Sequence, residues 1–208
     1  PSNIGLLAAY SKKLFGDAVE FRLFKYPENF AQALNEMEPD IVGVSNYVWN
    51  SNLSEWANAK AKAKYPNVLT IKGGWTFPLD AEERFNFLLK NPATDLYLIH
   101  EAEESFAQVV ERCLAGKKKD IFENPIPGSA FVKQNGPKPE LVVGPEGTRM
   151  KELDEIPSPF VMGLLDEFFD GNLFPVVETT RGCPFACNFC NSAEKYYSPV
   201  RRFSLDYV

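Results

Sequence analysis

Three cysteines fall within eight residues near the end of a 208-residue chain. The segment reads Arg181-Gly182-Cys183-Pro184-Phe185-Ala186-Cys187-Asn188-Phe189-Cys190, a C-x3-C-x2-C spacing. Thiolates are soft donors suited to iron–sulfur clusters and to zinc. Gly182 and Pro184 favour a tight turn, which lets three sulfurs face one centre. Electron-transfer clusters and closed zinc sites mostly use four protein ligands. Three cysteines would leave one iron of a 4Fe–4S cluster with an open position, where a substrate can bind. The other cysteine, Cys113, shares a helical stripe with Phe106, Val109, Val110 and Leu114 and reads as a small core residue. A fourth ligand from elsewhere would turn the same loop into a non-catalytic electron-transfer or zinc module fused to a Rossmann-like domain.

Composition narrows the alternatives. A single His argues against His-rich zinc sites and against Ser-His-Asp or Cys-His catalysis. The formal net charge of −6 argues against general affinity for nucleic acid. No apolar run approaches the roughly 20 residues of a membrane helix, and the opening residues do not read as a signal peptide. Clustered cysteines in so few residues point to metal binding in a reducing compartment, so a cytoplasmic location is expected.

Helices and strands that alternate must position this loop. Helical spacing predicts helices over 4–14, 30–37, 55–65, 81–90 and 104–115. Strand patterns predict 19–26, 40–47, 68–71 and 95–99. The alternation implies an α/β fold, a flavodoxin-like or Rossmann-like parallel sheet with helices on both faces. Because such a fold normally opens on a strand, a further strand upstream is expected. Residues 121–172 hold seven of the sixteen prolines and read as a structured connector. In it, 130–133 and 141–143 would form a small hairpin around a Gly/Pro turn. Residues 174–179 (FPVVET) read as a strand running into the cysteines. The division expected is 1–122, 123–172 and 173–208.

The cysteine spacing, with Phe189 before the last Cys and Arg181-Gly182 before the first, resembles the signature of the radical S-adenosylmethionine superfamily. Leu153-Asp154-Glu155-Ile156-Pro157-Ser158-Pro159-Phe160 and Glu178-Thr179-Thr180-Arg181-Gly182-Cys183 resemble the subgroup with an N-terminal cobalamin-binding domain. The resemblance implies that Cys183, Cys187 and Cys190 hold the cluster and that the open iron chelates S-adenosylmethionine. One electron then cleaves the sulfonium, and the resulting radical acts on a small-molecule substrate, or a methyl group passes through cobalamin. It further implies Phe189 near the adenine, an external electron donor such as a flavodoxin or ferredoxin, and residues 173–208 as the start of a (β/α) barrel. Residues 197–208 resemble the approach to its first helix, with Ser204 as cap. The later barrel strands are absent from these 208 residues, so the chain alone is not expected to turn over substrate.

Ligands of open α/β sheets bind beyond the C-terminal strand ends. Those ends here are Ser45-Asn46-Tyr47, Gly73-Gly74-Trp75 and His100-Glu101. Ser45 and Gly73-Gly74 match positions common in cobalamin domains. Two departures stand out. There is no Asp-x-His-x-x-Gly stretch to ligate cobalt, and His100-Glu101-Ala102-Glu103 replaces the usual Gly-Glu-Gly-Glu. Glu101, Glu103 and Glu104 open a helix, where carboxylates suit its dipole.

Overall fold

The computed structural model describes residues 2–134, 138–172, 174–190, 193, 195–198 and 200–208. Helices α1 (Ser2–Phe15) and α2 (Pro27–Glu36) precede strand β1 (Ile41–Ser45). Then follow α3 (Ser51–Lys64), β2 (Leu69–Gly73), α4 (Ala81–Lys90), β3 (Leu96–Leu98), α5 (Glu103–Leu114) and the short α6 (Asp120–Glu123). Strands β4 (Ser129–Lys133) and β5 (Glu140–Val143) complete a five-stranded sheet in the order β1-β2-β3-β4-β5. The first three strands are parallel, with Ile41 opposite Leu69 and Ile71 opposite Leu96. β4 and β5 are antiparallel. This mixed sheet with covering helices is an α/β architecture of the Rossmann or flavodoxin type.

Local chemistry explains the sharpest boundaries. The Asp80 side chain accepts hydrogen bonds from the N–H groups of Glu82 and Glu83 at 2.8 and 3.1 Å, so α4 starts where an N-cap carboxylate satisfies two free donors. On one face of the sheet, Leu69, Ile71, Leu96 and Leu98 pack against Phe106, Val109 and Val110 of α5. On the other, Phe77, Leu88, Tyr97, Ile99 and Ala130 form a second cluster. A third joins Leu6 of α1 to Met150, Leu153, Ile156 and Phe203, so the proline-rich connector is tied down by its own apolar residues.

Four expectations need correction. Residues 19–26 form no strand. Val19 and Phe21 do pack against the core while Glu20 and Arg22 face water, but the segment has no ladder partner among the described residues. Residues 174–179 likewise make no strand. Pairing is confined to β6 (Thr180–Arg181) against β7 (Arg201–Arg202), and Phe174 is 94% exposed. The 130–133/141–143 hairpin forms, but as an extension of the main sheet beside β3, with Tyr97 opposite Ala130. Its predicted Gly136-Pro137 turn lies outside the described residues. Ser204 caps only a turn, its Oγ accepting from Tyr207 N–H at 3.2 Å. Among the described residues no helix is long and apolar enough to cross a membrane.

Lys72 is fully buried in β2. Its ammonium meets Glu55 of α3 at 2.8 Å and Asn91 Oδ1 at 2.5 Å. A buried cation deprived of its partner costs far more than the pair is worth. Glu55→Ala is therefore expected to lower unfolding free energy by about 2–3 kcal/mol. The double variant Glu55→Ala/Lys72→Met should be less destabilised than Glu55→Ala alone. Urea midpoints at constant m decide it.

Candidate functional site

The strand ends converge as the topology requires. Asn46 is fully buried beyond β1, and its N–H donates to Gly73 O at 2.7 Å. Asn46 O accepts from Thr76 Oγ1 at 3.1 Å, and Asn46 Oδ1 is buried with no hydrogen-bond partner among the described residues. Ser45 turns its carbonyl to Ser54 Oγ at 2.6 Å and to Asn50 Nδ2 at 3.1 Å, so this serine serves the β1–α3 turn. Tyr47 stacks on Trp49, with ring centroids 4.8 Å apart. Gly74 has φ +133°, and a β-carbon there would sit 2.5 Å from Asn46 O. That glycine is required by backbone crossing backbone, whereas a β-carbon on Gly73 would make only ordinary contact.

Residues from the cysteine segment cover this edge. Tyr197 stacks on Trp75 at 4.7 Å and 16°. Its hydroxyl lies 3.0 Å from His100 Nδ1. Tyr196 stacks on the His100 ring at 3.9 Å and accepts from Glu101 N–H at 3.3 Å. Gly74, Trp75, Arg84, His100 and Tyr197 line a shallow cleft open to solvent. His100 has φ +64°, the left-handed backbone that glycine adopts without strain. The glycine-like turn is thus kept at this position while the imidazole is used for stacking. Ala102, at φ −117°, needs no glycine.

A charge cluster lies beside the tyrosines. Glu101 pairs with Arg149 Nε at 3.0 Å, with Arg201, and with Arg181 Nη1 at 3.6 Å. Glu103 meets Arg181 Nη2 at 2.6 Å, and Glu178 meets it at 2.9 Å. Burial works against the charge of Arg181, but Glu103 and then Glu178 outweigh it and hold the guanidinium above its ordinary pKa. The helix-dipole role expected of Glu101 and Glu103 is therefore secondary to these ion pairs. Sequence inspection missed Arg149, Arg201, Tyr196 and Tyr197, because they reach Glu101 and His100 from about 50 to 100 positions away. Arg181 is legible in the sequence only as part of the cysteine phrase.

The cysteines sit on the loop after β6. Cys183 N–H donates to Tyr197 O at 3.0 Å, and Cys190 N–H to Cys187 O at 3.2 Å. No cysteine is in a disulfide; Cys183 and Cys187 are half-buried and Cys190 is exposed. Among the described residues no three His, Cys, Asp or Glu side chains are already drawn round one centre. As a donor set, three free thiols in eight residues fit an iron–sulfur cluster. Phe189 is 86% exposed beside them.

No protein-family model matches the chain. It is 30% identical over 98% of its length to the cobalamin-dependent radical SAM methyltransferase TokK of Streptomyces tokunonensis. It is 27% identical over 99% of its length to the 2-(S-pantetheinyl)-carbapenam-3-carboxylate methyltransferase of Streptantibioticus cattleyicolor. The chain is a homologue of radical S-adenosylmethionine enzymes. These homologues extend to the anaerobic magnesium-protoporphyrin IX monomethyl ester cyclase of Cereibacter sphaeroides, 25% identical over 79% of the chain. The chain spans 30% of the length of each methyltransferase and 26% of the cyclase.

Two measurements follow. Gly74→Ala is expected to cost about 2 kcal/mol or more, since both the positive φ and the contact with Asn46 O oppose a β-carbon; a urea midpoint unchanged from the parent chain would contradict this. Burial, with Glu101 adding to it, raises the Tyr196 phenol from 10.0 to about 12. The unfolded chain ionises first, so the contribution of this group is complete below pH 10 and is lost as pH rises through about 12. Absorbance titration of the parent and Tyr196→Phe chains isolates it.

Proposed function

We propose that this chain is part of a radical S-adenosylmethionine enzyme in which Cys183, Cys187 and Cys190 hold a 4Fe–4S cluster. The observation that carries the reading is the loop itself: three uncrosslinked thiols within eight residues, tethered beside the C-terminal edge of a Rossmann-type sheet. When bound, the cluster supplies one-electron reductive cleavage of S-adenosylmethionine, with the electron delivered by a flavodoxin or ferredoxin. The protein's own task is to bind, orient and exclude water. Cys183, Cys187 and Cys190 supply the ligands. Phe189, exposed on the same loop, offers an apolar surface to the adenine.

The division into a sheet domain at 1–122, a connector at 123–172 and the first barrel elements at 173–208 belongs to this proposal. Methyl transfer to a small-molecule substrate is the reaction class favoured by the names of the two methyltransferases; cyclisation is favoured by the name of the third relative. The sheet edge at Ser45, Asn46, Tyr47, Gly73, Gly74, Trp75, His100 and Glu101 is the place proposed for cobalamin. As it stands the edge does not accommodate a corrin: Tyr197 lies on Trp75 and its hydroxyl faces His100 Nδ1. The reading therefore rests on the cysteine loop.

Anaerobic reconstitution with iron and sulfide tests it. The expected result is about four irons per chain, and an electron paramagnetic resonance signal that changes when S-adenosylmethionine is added. Replacing any one of the three cysteines by Ala should abolish that signal. Tight zinc binding with no response to S-adenosylmethionine would overturn the reading.

A further inference from the structure

Arg181 stands two residues before Cys183, the first of the proposed cluster ligands. Its side chain is 8% exposed, and Nε and Nη2 hydrogen-bond to carboxylates while Nη1 is held only at ion-pair distance. Nη2 meets Glu103 at 2.6 Å and Glu178 at 2.9 Å, and Nη1 faces Glu101 at 3.6 Å. Glu103 is the first residue of α5, whose Phe106, Val109 and Val110 are buried in the largest core cluster. Glu101 lies on the short turn between β3 and α5. The guanidinium therefore ties the root of the cysteine loop to the start of α5, 78 positions back in sequence.

Burying so much charge is seldom the cheapest way to hold two parts together, and apolar side chains of similar size often do it better. What a planar guanidinium adds is orientation, because its donors lie in a fixed fork. Gly182, at φ +108°, is the pivot between Arg181 and Cys183. Beyond that pivot, Cys183 N–H is held by Tyr197 O at 3.0 Å, while the Tyr197 ring lies on Trp75. The loop is thus fixed on both sides of the pivot against one edge.

We propose that Arg181 is a positioning residue. Clamped by Glu101, Glu103 and Glu178, it sets the angle at which the cysteine loop, and a cosubstrate bound on it, faces the C-terminal edge of the sheet. This rests on the cluster reading above, and the test separates the two. The intact chain and its Arg181→Met, Arg181→Lys and charge-exchanged Glu103→Arg/Arg181→Glu variants are compared.

In the metal-free chain, Arg181→Met should speed alkylation of Cys183 by iodoacetamide about tenfold, as the loop opens more often. After anaerobic reconstitution the same variant should keep its iron but lose the change in its resonance signal on adding S-adenosylmethionine. Arg181→Lys and the exchanged pair should each recover part of that change. An Arg181→Met chain with unaltered alkylation and an unaltered S-adenosylmethionine response would overturn the proposal. So would Arg181→Lys and Arg181→Met failing equally with the same fall in unfolding midpoint, since that marks a role in folding alone. If the parent chain takes up no iron, the cluster reading fails while the alkylation comparison still decides the clamp.

Discussion

Charge removed from water must be neutralised where it lies, and this constraint shapes the seam between the sheet and the cysteine loop. Arg149, Arg181 and Arg201 converge on Glu101, while Glu103 and Glu178 complete the neutralisation of Arg181. Each of these charges would be costly to bury alone. Together they hold the connector, the β6–β7 pair and the start of α5 in one arrangement. The short β6–β7 ladder, with only Thr180 and Arg181 opposite Arg202 and Arg201, would be marginal by itself. Here it is fastened by the side chains of the residues that form it.

The same seam explains the aromatic pairs at the edge. His100 keeps a left-handed backbone, and a non-glycine residue holds such a conformation only where its surroundings compensate. Tyr196 against its ring and Tyr197 at Nδ1 supply that compensation. Strand ends, which in an open α/β sheet form the ligand-binding edge, are thereby joined to the loop that carries the thiols. Fold and candidate chemistry meet at a handful of residues.

Much of the fold was legible in the sequence because its signals are local. Ala81–Lys90 has the bounds that its helical spacing predicts, and the Asp80 side chain caps its start. Where pairing depends on a distant partner, local pattern misled. Residues 19–26 alternate as a strand should, yet alternation states only which side chains face the core, not whether a neighbour offers a ladder. Residues 174–179 carry strand-forming side chains that remain exposed, Val176 at 63% among them. The hairpin was visible from its turn, but its place beside β3 is a tertiary fact. At the site, the cysteines announced themselves by spacing. The salt-bridge partners did not, because nothing near Arg201 in sequence points to a carboxylate 100 positions earlier.

The central claim is that three thiolates leave one iron free for a cosubstrate. Mössbauer spectra of the chain reconstituted with isotopically enriched iron examine that directly. The account predicts that S-adenosylmethionine shifts the parameters of a single iron and leaves the others unchanged. Four equivalent irons that ignore S-adenosylmethionine would contradict it.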